Sequence, residues 1–393
     1  MTAARRSAAL VLLAFIAFIS LGLPDGILGV AWPSARAEMG QPVSRLGLLL
    51  ACGTVAYLIV SSLSGPIARR MGVGWLLVLS TLLAGSGLLL FALAPGWWWL
   101  LPAAFLGGLG AGGIDAGLNA FAAERFSPRV MSWLHACYGI GATLGPLLMT
   151  AVFIAGASWR WGYAIVAGAM ITLACVFVAT RRLWQPSDPS DARPPQPRAT
   201  LARTLRMPLV WTHMALLLMY CGVEAGAGQL AYTLMTEGRG IPPDVAGPVV
   251  GGYWAALTIG RILFGQLAAR WSTGTILRLG TSVAPMAIAV FWWNPAPWAS
   301  FVALWALGLA LAPIFPMMIS LTPQRLGSSH GSNAVGVQIS AGAIGIALLP
   351  GLGALLMREV GLESLGPYLF ALAICVLSLD GLARRMAGPG RLA

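Results

Sequence analysis

The amino-acid sequence predicts an all-α membrane protein of twelve transmembrane helices, arranged as two six-helix bundles. Of its 393 residues, 58% are hydrophobic and only 9% are charged, whereas an average soluble domain has about 25% charged residues. Most of the chain falls into apolar runs of roughly 20 residues, the length with which a helix crosses the hydrocarbon core of a bilayer. In addition, a pattern of glycine, arginine, proline and tryptophan recurs after about 200 residues, which indicates two copies of one helical bundle.

The predicted helices follow one another along the whole chain and are separated by polar segments. The first apolar run continues into Pro24 and Asp25 without a small-residue cleavage site, so we expect a first helix here and not a cleaved signal peptide. The predicted helices cover residues 8–30, 46–64, 73–95, 97–123, 131–155, 161–180, 207–235, 246–268, 274–293, 297–321, 330–357 and 364–383.

One polar interruption is much longer than the others. Residues 181–206 are rich in Arg, Pro, Asp and Ser, and they separate the first six predicted helices from the last six. This composition is typical of a linker between two bodies that move against each other. The sequence therefore predicts an N-terminal bundle at 1–180, a cytoplasmic linker at 181–206 and a C-terminal bundle at 207–393.

The two predicted bundles match helix by helix. Asp25 in the first helix corresponds to Glu224 in the seventh, so each half carries one acid at a matching depth. Because both halves have the same number and order of helices, we expect them to be related by an axis along the membrane normal, as in secondary transporters. The other recurring pairs are Gly65 and Gly265, Arg70 and Arg270, Pro95 and Pro295, Trp98 and Trp298, Gly108 and Gly308, and Arg125 and Arg325.

The arginines are distributed unevenly between the two sides of the predicted membrane. The chain has no lysine, and its formal net charge is +12. Loops enriched in arginine predict the cytoplasmic side, which puts both termini in the cytoplasm and the protein in the cell membrane, or in the inner membrane of a bacterium. This distribution explains the net positive charge, so we expect no nucleic-acid partner. The predicted cytoplasmic set is Arg5, Arg6, Arg69, Arg70, Arg125, Arg129, Arg181, Arg182, Arg193, Arg198, Arg203, Arg206, Arg270, Arg278, Arg325, Arg384, Arg385 and Arg391, and the opposite set is Arg36, Arg45, Arg160, Arg239 and Arg358.

The segment that follows the second predicted helix carries a motif that recurs after the eighth. The segment from Gly65 to Gly72 resembles the signature Gly-x-x-x-Asp-Arg-x-Gly loop of the major facilitator superfamily, with an arginine in place of the acid. The resemblance implies two six-helix bundles that work by alternating access, with this loop latching one conformation. The residues of the conformational loop motif are Gly65, Arg69, Arg70, Gly72, Gly265 and Arg270.

The fourth predicted helix resembles a narrower group, the fucose, galactose and glucose proton symporter family. Asp115 and Asn119 match its acid-x-x-x-Asn segment, and a spacing of four residues places both side chains on one helix face. The family also has an essential acid in helix one, for which Asp25 is the candidate. The resemblance implies proton-coupled uptake of a monosaccharide. The stretch from Gly139 to Pro146 is similar to superfamily members of several kinds, antiporters included, and leaves the direction of transport open.

Three acidic residues at membrane depth, Asp25, Asp115 and Glu224, are the predicted proton-coupling residues. A charge at the bilayer centre costs at least about 2.5–3.5 kcal/mol, so such residues usually face a cavity or a partner. Desolvation favours the neutral form of a carboxyl group, which can then bind and release a proton as water access changes sides. Structural alternatives stay open. Asp25 could cap helix backbone broken at Pro24, Asp115 could bond a neighbouring helix, and Glu224 could form a charge pair with Arg261 that acts as a clamp or a gate.

Neutral polar side chains at membrane depth are the predicted solute contacts beside Asp115. They could match the hydroxyl groups of a sugar without adding charge, although intramembrane amides also join helices. They are Asn119, Tyr138, Gln229, Tyr232 and Gln338. His135 lies near the predicted cytoplasmic start of the fifth helix, where an interfacial or packing role competes with proton relay. His213 and His330 lie near predicted helix ends, and we do not include them among the predicted site residues.

Three functions remain open at this point. The first is proton-coupled symport of a small neutral polar solute, above all a monosaccharide, with sodium as the alternative coupling ion. The second is proton-coupled efflux of a hydrophobic drug or lipid, although helix four lacks the buried arginine usual in such antiporters. The third is a membrane sensor that keeps the fold without transporting a solute.

Other function classes find no support in the sequence. It contains no phosphate loop, metal cluster or nucleophile constellation, so we expect no enzyme activity, no metal and no organic cofactor. We expect the chain to work as a monomer in the lipid bilayer, with a small-molecule solute as its partner.

Overall fold

The computed structural model describes residues 3–126, 128–184 and 199–387, and these residues form helices joined by short turns. No strand is present in these ranges. The α-helices are α1 (Ala3–Glu38), α2 (Arg45–Met71), α3 (Val73–Leu93), α4 (Trp97–Arg125), α5 (Pro128–Ile154), α6 (Trp159–Thr180), α7 (Leu201–Leu205), α8 (Pro208–Thr233), α9 (Pro243–Leu267), α10 (Thr273–Trp293), α11 (Pro297–Leu311), α12 (Ile314–Leu326), α13 (Ser328–Glu359) and α14 (Leu365–Ala387). Shorter helical turns adjoin them at Arg181–Trp184, Leu234–Gly238 and Leu362–Ser364.

The helices confirm the predicted all-α membrane fold. Within the described residues, 11 segments are long and apolar enough to cross a membrane, and α11 and α12 together form one of them. The remaining predicted span is α9, whose 25 residues reach about 37 Å along the helix axis, more than the hydrocarbon thickness of a bilayer. Its apolar character is lower because it contains Arg261 and Gln266.

Helix α1 is longer than the sequence predicts and is continuous past Asp25. It contains Pro24 and Pro33 in its interior and ends at Glu38, before Gly40 adopts a φ of 63°. A proline is tolerated within a transmembrane helix because neighbouring helices and local adjustment satisfy the freed backbone groups. The alternative in which Asp25 caps a broken helix at Pro24 is therefore wrong.

The predicted loop motif is mostly helical. Gly65, Arg69 and Arg70 belong to the end of α2, and only Gly72, with a φ of 85°, forms the turn into α3. The second copy behaves similarly, because Gly265 lies inside α9 and the turn begins after Leu267. No residue between Gly65 and Gly72 requires a left-handed backbone, so the helix continues until a glycine ends it.

The described contacts divide the chain into two compact units. Unit 1 comprises Met1–Ala192 and Pro243–Gly251, and unit 2 comprises Arg193–Pro242 and Gly252–Ala393. In unit 1, α1 packs on α5, and α3 packs on α4 and α6. In unit 2, α8 packs on α13, and α10 packs on α11 and α14, which is the same pairing order. This agreement supports the internal repeat, while the predicted boundaries at 180 and 207 stay a prediction. Residues 185–198 of the predicted linker lie outside the described residues.

An ion pair joins three helix ends of unit 1 on the side opposite the linker. Arg160 Nη2 lies 2.8 Å from Glu38 Oε1, and Trp159 Nε1 donates to Glu38 Oε2 at 2.6 Å. The same guanidinium donates to the carbonyl oxygens of Ala92 and Ala94 at 3.0 and 2.7 Å. The Glu38–Arg160 pair thereby holds the ends of α1 and α3 against the start of α6.

Unit 2 has an ion pair at the corresponding helix ends with the charges exchanged. Arg239, which follows α8, lies 2.7 Å from Glu363, which precedes α14. Arg239 Nη1 also donates to Ser300 Oγ of α11 at 3.1 Å, and Ser300 donates to Asn294 Oδ1 at 2.6 Å. The Arg239–Glu363 pair therefore connects α8, α11 and α14. In this pair the basic residue follows the helix that corresponds to α1, which ends with the acidic Glu38 in unit 1.

Candidate functional site

Each of the three predicted intramembrane acids has a tyrosine hydroxyl as a hydrogen-bond partner. Tyr138 donates to Asp25, and Tyr57 donates to Asp115 in unit 1. In unit 2, Tyr220 donates to Glu224 from one turn earlier on α8. Tyrosine stabilises a carboxylate by a hydrogen bond without bringing a second charge to membrane depth.

The Asp25 site depends on close packing between α1 and α5. A Cβ added at Gly22 would lie 2.7 Å from the backbone nitrogen of Ala142, and one at Gly26 would lie 2.7 Å from Pro146 Cδ. Only glycine allows two helices to approach so closely. This contact brings Tyr138 Oη within 2.6 Å of Asp25 Oδ2. Asp25 is exposed in the isolated chain.

The Asp115 site lies where α4 approaches α2. Asn119 Nδ2 donates to Asp115 Oδ1 at 2.9 Å, as their spacing of four residues predicts, and Tyr57 Oη donates to Oδ2 at 2.5 Å. A Cβ added at Gly112 would lie 3.0 Å from both Tyr57 Cα and Ser61 Oγ. The glycines of α4 thus let the α2 backbone come near enough for Tyr57 to reach the carboxylate.

The two acids of unit 1 belong to one polar cluster. Asp115 and His135 interact electrostatically, and so do Asp25 and Tyr57. His135 also packs edge-on against Phe18 of α1, with 5.5 Å between the ring centroids. These side chains, from α1, α2, α4 and α5, form a polar cluster in unit 1.

The acid of unit 2 has a cationic partner. Arg261 Nη2 of α9 lies 3.3 Å from Glu224 Oε1, and both side chains are about four-fifths buried, with exposures of 21% and 17%. Tyr253 Oη donates to the backbone oxygen of Glu224 at 2.9 Å. Glu224 is thus an ion-paired carboxylate, and its role as a clamp or a gate stays a prediction.

The other predicted solute contacts of unit 2 are enclosed. Gln229 and Tyr232 are buried in α8 with exposures of 4% and 3%. Gln338 is completely buried, and its Nε2 donates to Thr322 Oγ1 at 2.8 Å. Their predicted contacts with solute stay predictions, and Gln338 is bonded within the protein in this conformation.

The predicted motif residues lie at the ends of α2 and α9. Arg69 and Arg70 are exposed at the end of α2, and Arg270 is exposed in the turn after α9. Among the described residues, no group of three or more His, Cys, Asp or Glu side chains is placed to hold a metal ion. The assignment of a latch to this motif stays a prediction.

Some polar side chains within the predicted spans were not predicted from the sequence. Tyr57 and Tyr220 lie in apolar runs and could have been found as polar groups at membrane depth. Asp380 lies in the last apolar run, is completely buried, and has Oδ2 3.2 Å from Arg384 Nε. Asp380 could have been found in the same way as Asp25, as an acidic residue within a predicted span.

Comparisons with known proteins agree on the fold and differ on the cargo. The family model of the Major Facilitator Superfamily matches residues 10–350. The chain is 22% identical over 240 residues to the glucose/mannose transporter GlcP of Bacillus subtilis (strain 168), across 59% of each protein. It is 24% identical over 404 residues to the enterobactin exporter EntS of Citrobacter koseri, across 95% of this chain and 92% of the exporter. A bacterial homologue of the human lysosomal transporter Spinster, inward-facing and occupied, has a similar structure with a TM-score of 0.77 at 14% identity over 96% of both chains.

Proposed function

Because this chain belongs to the Major Facilitator Superfamily, we propose that it is a secondary active transporter that carries a small neutral polar solute, a monosaccharide, together with protons. The contact between Asp25 and Tyr138 is the observation that carries this proposal. The 2.6 Å partner of the Asp25 carboxylate is a neutral hydroxyl. A hydroxyl can donate to an ionised carboxylate and accept from a protonated one, so Asp25 can change its protonation state without breaking this contact.

The acid at the repeat position in unit 2 is less suited to carry the proton. Glu224 is instead ion-paired with the Arg261 guanidinium at 3.3 Å, and both side chains are largely buried. Loss of one charge from a buried ion pair is strongly destabilising, a cost that the neutral tyrosine hydroxyl does not impose on Asp25. We therefore assign proton coupling to Asp25 and a clamp or gate to the Glu224–Arg261 pair.

The chemistry of the unit 1 cluster supports a hydroxylated solute. Its side chains offer carboxylate oxygens, a primary amide and two phenol hydroxyls, which match the donors and acceptors of a sugar. The similarity to a glucose/mannose transporter supports the same class of cargo.

Efflux is the second candidate function. The similarity to an enterobactin exporter extends along 95% of this chain, further than the similarity to the sugar transporter. The segment from Gly139 to Pro146, which forms the tight contact with α1, is also of a kind found in antiporters. In this case Asp25 would exchange its proton for an outgoing apolar solute.

Transport into proteoliposomes separates the two functions. We expect one sugar of a monosaccharide panel to accumulate when an inward proton gradient is imposed, and to exchange without a gradient. Asp25→Asn should lose accumulation and keep exchange at equal concentrations, because the amide preserves the hydrogen bond to Tyr138 and cannot release a proton. The matched control is Asp244→Asn, an exposed acid at the start of α9, which should keep both activities.

Two results would argue against the proposal. Normal gradient-driven accumulation by Asp25→Asn would remove Asp25 from coupling. Absence of sugar counterflow across the whole panel, combined with proton-dependent extrusion of apolar compounds, would favour efflux.

A further inference from the structure

We propose that Tyr57 is a positioning residue which, with Asn119, keeps Asp115 as a fixed acceptor for solute hydroxyls and leaves proton exchange to Asp25. This inference deepens the proposed function and rests on it, since it divides the two roles between the acids of the unit 1 cluster. Tyr57 itself need not touch the solute.

The geometry around Asp115 is the first argument. Its two carboxylate oxygens each receive one neutral donor, Tyr57 Oη at 2.5 Å and Asn119 Nδ2 at 2.9 Å. Donors aimed at a carboxylate favour its charged form, and two donors on different helices also fix its orientation. An ionised carboxylate has about four lone-pair sites, so roughly two remain for solute hydroxyls.

The packing of α2 on α4 makes this arrangement specific to Tyr57. A Cβ added at Gly108 would lie 2.9 Å from Gly53 Cα, and one at Gly112 would lie 3.0 Å from Tyr57 Cα. These two contacts are about one turn apart on each helix and hold the backbones in close approach. This close approach places the Tyr57 hydroxyl within reach of the carboxylate.

Titratable groups of the neighbouring helices also act on this site. The titratable group of α5 that interacts with Asp115 is His135. From α1, the charge of Asp25 acts on Tyr57. Helix α3, which also packs on α4, contributes no titratable side chain. Asp25 is exposed, where water can exchange its proton, whereas each oxygen of Asp115 receives a donor from the protein, and this difference is the basis for dividing their roles.

An infrared titration tests the assignment without any solute. The carboxyl band that Asp115→Asn removes from the spectrum of the full-length protein reports the protonation of Asp115. In Tyr57→Phe, which keeps the ring and removes the hydroxyl, we expect the midpoint of this band to move to higher pH, because a donor to the charged form is lost. Asn119→Ala removes the other donor and should move the midpoint in the same direction. Tyr138→Phe, the matched control at Asp25, should leave it in place.

Transport kinetics provide the second readout. With the sugar found in the proteoliposome panel, Tyr57→Phe should raise KM roughly tenfold and leave kcat close to that of the wild type, because a fixed acceptor is lost and the coupling acid is intact. In an Asp115→Asn background, Tyr57→Phe should have no further effect on KM.

The outcomes distinguish this inference from the proposed function. If no sugar is transported, the proposed function fails while the infrared titration still tests whether Tyr57 holds Asp115. An unchanged infrared midpoint in both Tyr57→Phe and Asn119→Ala, with sugar transport present, would overturn the role of Tyr57 alone. Loss of thermal stability with unchanged KM and an unchanged midpoint would reduce Tyr57 to a packing residue.

Discussion

At the scale of single residues, His213 is a structural histidine with a defined tautomer. Arg325 Nη1 lies 3.3 Å from His213 Nε2, and a guanidinium can only donate, so Nε2 accepts and Nδ1 carries the hydrogen. Thr322 Oγ1, 3.2 Å from Nδ1, accepts that hydrogen, accepts a second from Gln338 and donates to Met318 O at 2.8 Å. The Thr322 hydroxyl thus accepts two hydrogens and donates one, which uses its full hydrogen-bonding capacity inside unit 2.

The hydroxyl of Thr322 is the centre of this network, and its removal should be costly. Thr322→Val keeps the shape and leaves His213 Nδ1–H and the Gln338 amide without their acceptor. We expect a loss of about 1–3 kcal/mol in unfolding free energy, measured by thermal or denaturant unfolding in detergent. Thr172→Val is the matched control, since that hydroxyl also donates four residues back but lies on an exposed face of α6. Equal stability of the two variants would contradict the role of the network.

At the scale of helices, each unit has an ion pair between helix ends, and the acidic and basic residues are exchanged between the two units. Glu38 ends α1 and Arg239 follows α8, whereas Arg160 lies at the start of α6 and Glu363 lies just before α14, so the two pairs join comparable helix ends. The charges are exchanged and the pairing is kept. Attraction between these helix ends, and not the identity of either side chain, is therefore what the repeat preserves.

Exchange of the charges in unit 1 tests the hypothesis that attraction between these helix ends stabilises the unit. Glu38→Arg and Arg160→Glu each bring two like charges together, so each single variant should lose stability by about 1 kcal/mol or more. The double variant should recover part of the loss, and only part, because the carboxylate that replaces Arg160 cannot donate to the carbonyls of Ala92 and Ala94. Denaturation midpoints of the four proteins give the coupling energy. Strictly additive losses would contradict the idea of an attractive pair.

At the scale of the whole molecule, the uneven distribution of arginine predicts the orientation in the membrane. The turn between α5 and α6 contains an exposed Ala155, and the turn after α9 contains an exposed Ala269 near Arg270. Positively charged loops are retained in the cytoplasm, so these two alanines should lie on opposite sides.

Labelling of single cysteines tests this orientation. In a background with alanine at the native cysteines, a membrane-impermeant maleimide applied to intact cells should label Ala155→Cys and not Ala269→Cys. Permeabilised cells should label both and provide the control. The reverse pattern would place the termini outside. The native cysteines to replace are Cys52, Cys137, Cys175, Cys221 and Cys375.

The sequence by itself determined the membrane spans, their order and the acids worth testing. These features depend on local composition, because about 20 apolar residues span a bilayer wherever they occur in a chain. The spacing of Asp115 and Asn119 predicted their contact for the same reason, since side chains four residues apart on one helix are neighbours.

Only the tertiary structure decided which side chains meet across helices. Tyr57 and Asp115 are separated by 58 residues, and their contact depends on glycines that let α2 and α4 approach. Gln338 looked suited to a cavity, yet the rotation of α13 directs it to Thr322 inside unit 2. The direction of a side chain depends on the rotation and packing of the whole helix, and neither is encoded in the composition of the run that contains it.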